Sequence, residues 1–437
     1  KFATEHAKVL DAADELYFSE ERFDDFYMGK GSTYPDLHGA IGILFEQGST
    51  RGLLSKNSRY DRTFAETVAN QVRTSLSSLT MLGNLHDELL KHQQRFYAEA
   101  VAMGKKSPIR AYVLHAEGDT SRVAEIAKQL GRHDIKVYVP DTGVTVDGNK
   151  YAAGTVAIVP TEQPEYRFVE SLMQRAQSFK ENIFYDVSAW TAPLALDLEI
   201  IEHKSDLPDE WRVAKSPSAG SSARSETAPA PNDAIGFSID PVSFDVPALI
   251  SGRAQDEIEV RGAYEPFAAI DTNGKRVKVA RGSWLVMKSS NLEAWESIAN
   301  RMTDAESELH VTIHGLSAGL TPEGPDLGSN DHRVIPKPEI LLVVGDGTSG
   351  LDAGSIWHTL DTRFRMPATL VNADSLSRVD LSDYTCVVLP SGSYRGWDES
   401  MVDKIKSYTS GGGTVVAIGS AIGWLKSNEL LSKQEYV

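Results

Sequence analysis

The chain has one cysteine, Cys386, in 437 residues, which excludes an intrachain disulfide, a Cys-rich zinc knuckle and a paired redox thiol. Positive charge is also scarce. Lys and Arg number 44 against 61 Asp and Glu, for a formal net charge of −17. With no basic run to offset that balance, a phosphate backbone would be repelled, and nucleic acid is excluded as a partner. No apolar run approaches the ~20 residues that cross a bilayer as a helix, so no membrane span is expected. An initiating Met is missing, and no charged-then-apolar signal region follows Lys1. Instead Phe2 to Tyr17 reads at once as an amphipathic helix, with Val9, Leu10, Ala13 and Leu16 on one side. The chain thus reads as a fragment that starts inside a domain.

What is present is ordinary for a folded protein. Hydrophobic residues make up 41% and charged residues 24%, and the length predicts two to four domains, each with its own core.

The most informative stretch runs from Gly29 to Gly52. A Gly-rich loop leads into an apolar run, Ile41 to Phe45, which reads as a short strand and delivers one carboxylate, Glu46, followed by polar turn residues. A carboxylate at the end of a buried strand is costly unless something there uses it. After it, Phe64, Val68, Val72, Leu76, Leu79 and Leu82 recur at helical spacing, predicting one long helix over about 63–101. Two helices and one strand cannot close a core, so a partner sheet is expected from sequence outside the chain.

Beyond Pro108 strand and helix patterns alternate: Ile109 to Leu114, a helix from Thr120 to Leu130, Ile135 to Val139, Tyr151 to Val159, and a helix around Tyr166 to Phe179. This predicts an α/β layer. Lys215 to Asp233 is a Ser/Ala/Pro-rich low-complexity stretch within an expected linker over 206–235. The pattern before the linker then recurs after it. Ile135-Lys-Val, Asp147-Gly148 and Gly154-Thr-Val-Ala-Ile-Val are matched by Ile258-Glu-Val, Asn273-Gly274 and Gly282-Ser-Trp-Leu-Val-Met. Residues 236–335 therefore read as a repeat of 108–205. The last unit, 337–437, has continuous apolar strands at Ile340 to Val344, Cys386 to Leu389 and Thr414 to Ile418, with helices near Ser355–Arg363 and Asp398–Tyr408. Strands apolar on both faces with helices between them predict a doubly wound parallel sheet.

Two resemblances follow from these motifs. The Gly-Ile-Leu-Phe-Glu run at Gly42 to Glu46 resembles the strand that ends the catalytic domain in carboxypeptidase A-like zinc metallopeptidases, and the resemblance covers residues 1–103. The Ser391-Gly-Ser-Tyr loop and Gly411 to Ser420 resemble class I glutamine amidotransferase-like modules appended to some bacterial zinc carboxypeptidases. The resemblance implies peptide or amide hydrolysis by zinc-activated water. Glu46 would be the general base, and the zinc ligands would lie upstream of this chain. Tyr27 is the positional candidate for the phenol that closes over substrate, with Tyr34 as the alternative, and Arg51 for a substrate carboxylate. It further implies a peptide substrate and an exported, periplasmic or secreted, location. The alternative is a non-catalytic homologue that binds peptide or cell wall as a scaffold.

Other residues read as bystanders. His38 is not carried over as a ligand, because the family ligands precede this strand. His310 and His314 have helical metal spacing, but Glu308 to His314 alternates like a strand, which would set the two side chains ~13 Å apart. Where an amidotransferase needs a nucleophilic Cys on a strand-to-helix elbow, this chain has Ser420, and Cys386 falls inside a strand.

Overall fold

The computed structural model describes residues 1–19, 27–48, 50, 52–56, 61–175, 191–212, 233–251, 258–309 and 311–431. The chain divides into two compact units, Lys1–Glu117 with Arg122–Ser221, and Gly118–Ser121 with Ser222–Val437.

The first unit opens with α1 (Phe2–Asp11), shorter than expected because Asp14 takes a left-handed turn (φ 56°). Then come α2 (Thr33–Leu37) and an antiparallel hairpin of β1 (Leu54–Lys56) and β2 (Asp61–Thr63). Helix α3 (Phe64–Asn84) starts from a capping box: the Glu66 N–H donates to Thr63 Oγ1 (3.3 Å), and the Thr63 N–H donates to Glu66 Oε2 (2.7 Å). The one long helix expected here is two. It breaks at Leu85 (φ −109°, ψ 10°), and α4 (His86–Lys106) continues from there. Gly83 and Asn84 just before the break are both poor helix formers.

The helical stripe is also turned the unexpected way. Asn70, Thr74, Ser77 and Met81 of α3 are buried, whereas Phe64, Val68, Val72, Leu76 and Leu79 stand 44–62% exposed. His6 of α1 is buried on this polar face, its Nδ1 2.6 Å from Ser77 Oγ and its ring edge-on to Phe45 (4.8 Å).

Next come β3 (Ala111–His115), α5 (Thr120–Gly131), β4 (Val144–Val146), β5 (Asn149–Tyr151), β6 (Val156–Pro160), α6 (Tyr166–Met173), α7 (Ala192–Ala195), β7 (Glu199–His203) and α8 (Asp209–Arg212). The sheet order is β6-β3-β7, antiparallel throughout. Ile135 to Val139 adds a single bridge, Tyr138 to Ile158, rather than a strand. One face packs on Val123, Ile126, Leu130, Phe168 and Leu172. The other packs on Tyr138, Val144, Val146 and Trp211. Trp211, at 1% exposure against His203, carries this layer into the segment assigned to the linker on composition. Residues 213–232 lie outside the described residues.

In the second unit come β8 (Gly236–Ile239), α9 (Val246–Ser251), β9 (Arg261–Ala263), β10 (Phe267–Ile270), β11 (Arg276–Val279), β12 (Trp284–Met287), α10 (Trp295–Glu308), β13 (Ile313–Leu316) and β14 (His332–Val334). The five-stranded sheet runs β13-β8-β12-β9-β14, again antiparallel. The neighbours match the earlier layer in turn. β8 sits between β13 and β12 as β3 sits between β7 and β6, and β9 on β12 takes the place of the Tyr138 bridge on Ile158. Each layer carries a separate hairpin, β4–β5 or β10–β11, turned through Gly148 (φ 87°) or Gly274 (φ 76°).

The remaining elements are β15 (Ile340–Val344), α11 (Gly350–His358), β16 (Ala368–Asn372), β17 (Cys386–Leu389), α12 (Glu399–Ser410), β18 (Thr414–Ala417) and α13 (Ala421–Ser427). Here the parallel expectation holds: β16-β15-β17-β18 form a four-stranded, all-parallel sheet. Leu341, Val343, Val387 and Leu389 pack on one face, and Ile340, Leu342 and Val388 on the other. The fold as a whole is α/β.

Candidate functional site

The segment after α2 reaches Glu46 without forming a strand. Residues 41–48 are not paired into any sheet, and Ile41, Ile43, Leu44 and Glu46 are exposed. The expected strand therefore lacks a neighbour among the described residues. Its path is fixed at Gly42, whose N–H donates to Asp36 Oδ1 (2.8 Å) and where a Cβ would run into the Ser32 carbonyl. Tyr27 is half-buried and packs, with Tyr34 and Leu37, against the core of the first α/β layer. Arg51 lies outside the described residues.

What the fold gathers nearby is a titratable cluster that no motif or spacing announces. Within α2 and its cap, the His38 Nδ1–H donates to the Tyr34 carbonyl (2.8 Å), which leaves Nε2 to face Glu165 Oε2 at 3.5 Å. Both of those atoms are shut off from solvent and have no hydrogen-bond partner among the described residues. The Tyr34 hydroxyl meets His133 Nδ1 (2.8 Å), and Tyr97 Oη donates to the His38 carbonyl (3.1 Å). Phe168 stands edge-on to the rings of Tyr34, His38 and His133.

The electrostatics follow from that apolar enclosure. Burial raises the Glu165 carboxyl above the ordinary range, His38 partly offsets this, and Asp134 adds to it. Burial lowers the His133 imidazole, with His38 and Arg132 acting in the same direction. The phenols of Tyr34 and Tyr97 are pushed up by burial first, then by Glu165 and Asp134. The cluster can hold and share protons. His38 and Glu165 are 127 positions apart in sequence, and neither motif nor spacing links them.

The remaining sequence candidates fall as follows. His314 sits on β13 opposite Ser238 of β8, in line with the strand periodicity read there, and burial lowers its imidazole. His310 lies outside the described residues. Ser420 Oγ accepts from the Gly392 N–H (2.9 Å) and donates to the Gly392 carbonyl (3.1 Å), so its hydroxyl is committed to a loop rather than to a base. Cys386 lies within β17, where burial raises its thiol, the opposite of what a nucleophile needs.

Among the described residues no group of three or more His, Cys, Asp or Glu is arranged to hold a metal ion. No helix among the described residues is long and apolar enough to cross a membrane.

Compared with family models, with curated proteins and with solved structures, the chain matches none.

Proposed function

We propose that this chain is the C-terminal part of a zinc metallocarboxypeptidase-like protein that hydrolyses peptide or related amide bonds. Residues 1–103 would complete its catalytic domain, and the parallel sheet would be a doubly wound, amidotransferase-like module without amidotransferase chemistry. The observation that carries the reading is at residues 41–48. An apolar segment ending on Glu46 is unpaired among the described residues, and the apolar stripe of α3, Phe64 to Leu79, is exposed. An unpaired apolar segment and an open apolar helix face are together what one end of an α/β domain looks like without its sheet.

In that setting zinc, held by residues outside the described ones, would supply Lewis acidity and an activated water. Glu46 would take the water's proton on its carboxylate and pass it to the leaving amine. Tyr27 and Arg51 would contact substrate.

The test is zinc content and hydrolysis of a peptide panel by the full-length parent, beside Glu46→Gln. Zinc retained with hydrolysis lost is the expected result. Zinc bound with hydrolysis unaffected would remove Glu46 from the role of base. Neither zinc nor hydrolysis would leave the scaffold as the reading to pursue.

A further inference from the structure

A cleft of about 890 Å³ opens in the second unit between α10, α9 and the turn that follows α11, a volume typical of small-ligand sites. The turn is unusual in two ways. Residues Thr359–Arg363 form a π-helical turn, and Arg365 has a left-handed backbone (φ 51°) though it is not glycine. Both departures concentrate at functional sites, because each costs energy that the surroundings must offset. Arg363 is held at the wall, its guanidinium over Phe244 (4.2 Å) and 3.6 Å from Asp245.

Of the other charged lining residues, Asp304 has a partner of its own, and the remaining four are not spent on each other. Arg301 and Arg365 line the cleft, and neither side chain makes an ion pair or hydrogen bond among the described residues. Glu293 and Glu296 line it as well, also unpaired. Along α10 the five residues from Glu296 to Arg301 rise by ~7.5 Å. A carboxylate pole and a guanidinium pole thus sit on one wall, with Arg365 adding to the lining. An extended chain advances ~3.5 Å per residue, so two or three residues span that separation.

We propose that this cleft binds a short peptide with both termini free. Its carboxylate meets Arg301 and Arg365, where guanidinium geometry suits a bidentate contact, and its ammonium meets Glu293 and Glu296. The site uses no residue of the 1–103 region and does not depend on Glu46.

The test is calorimetric titration of the full chain with trialanine, its N-acetylated form and its C-terminal amide. Trialanine should bind, and blocking either terminus should weaken it by about tenfold or more, the scale of a lost charge-assisted hydrogen bond. Arg301→Gln and Glu296→Gln should do the same. Arg365→Gly is the most useful variant, because glycine accepts the left-handed backbone. It should weaken binding while thermal stability stays level or rises, which separates a lost contact from misfolding. No binding of trialanine at millimolar concentration, or binding indifferent to Arg301→Gln and Arg365→Gly, would overturn the proposal.

Discussion

His38 Nε2 and Glu165 Oε2 lie 3.5 Å apart, both shut off from solvent, in an aromatic enclosure formed by Tyr34, Phe168 and His133. Because His38 Nδ1–H is given to the Tyr34 carbonyl, a proton between the pair must sit on Nε2 or on the carboxylate. Burial favours the neutral acid, and Glu165 is accordingly raised. A carboxyl raised in the folded state stabilises the fold fully below its ordinary value of 4.5, and that contribution fades as pH rises through the raised value. Glu165→Gln removes the titration. The difference in unfolding free energy, native minus variant, should fall from pH 4 to pH 7 in urea titrations. A difference that stays flat would mean the buried carboxyl does not titrate as described.

His133 and His314 have the opposite sign. Burial lowers both imidazoles from the ordinary 6.5, so the unfolded chain binds more protons between the lowered and ordinary values. Stability from these groups is complete above pH 6.5 and lost as pH falls through the lowered values. Imidazole NMR titrations should give midpoints below 6.5 for both rings. Midpoints at or above it would contradict their burial.

Two helix glycines should respond in opposite directions to alanine. Gly83 in α3 has open space where a Cβ would go, so Gly83→Ala should stabilise by up to about 1 kcal/mol. At Gly104 in α4 a Cβ would run into the Thr161 carbonyl, and the Gly104 carbonyl itself accepts from Thr161 Oγ1 (3.2 Å). Gly104→Ala should destabilise by about 1–3 kcal/mol, as overpacking does. Shifts of denaturation midpoint in the same direction for both would be inconsistent with this packing.

Phe237 on β8 is fully buried and stacks on Trp295 of α10, centroids 5.2 Å apart. Phe237→Ala should cost about 3–5 kcal/mol, while Phe237→Leu should cost less because more of the volume is kept. Denaturant midpoints for the two variants would show the order, and equal costs would point to a core that refills the cavity.

The sequence by itself determined the elements whose cause is local. The parallel sheet was legible because Ile340 to Val344 and Cys386 to Leu389 are apolar on both faces. Asp147-Gly148 and Gly274 specified their hairpin turns because these residues take positive φ. Tertiary structure alone decided the rest, because each outcome depends on what lies across a gap. Ile41 to Phe45 has a strand's composition, but a strand needs a neighbour to hydrogen-bond, and none is present among the described residues. The stripe from Phe64 to Leu79 predicted helix α3 but not which face would be buried. His6 lies against the polar face instead. The His38–Glu165 pair has no sequence signature, since the desolvation that shifts a carboxyl is created only when residues 127 positions apart close around it.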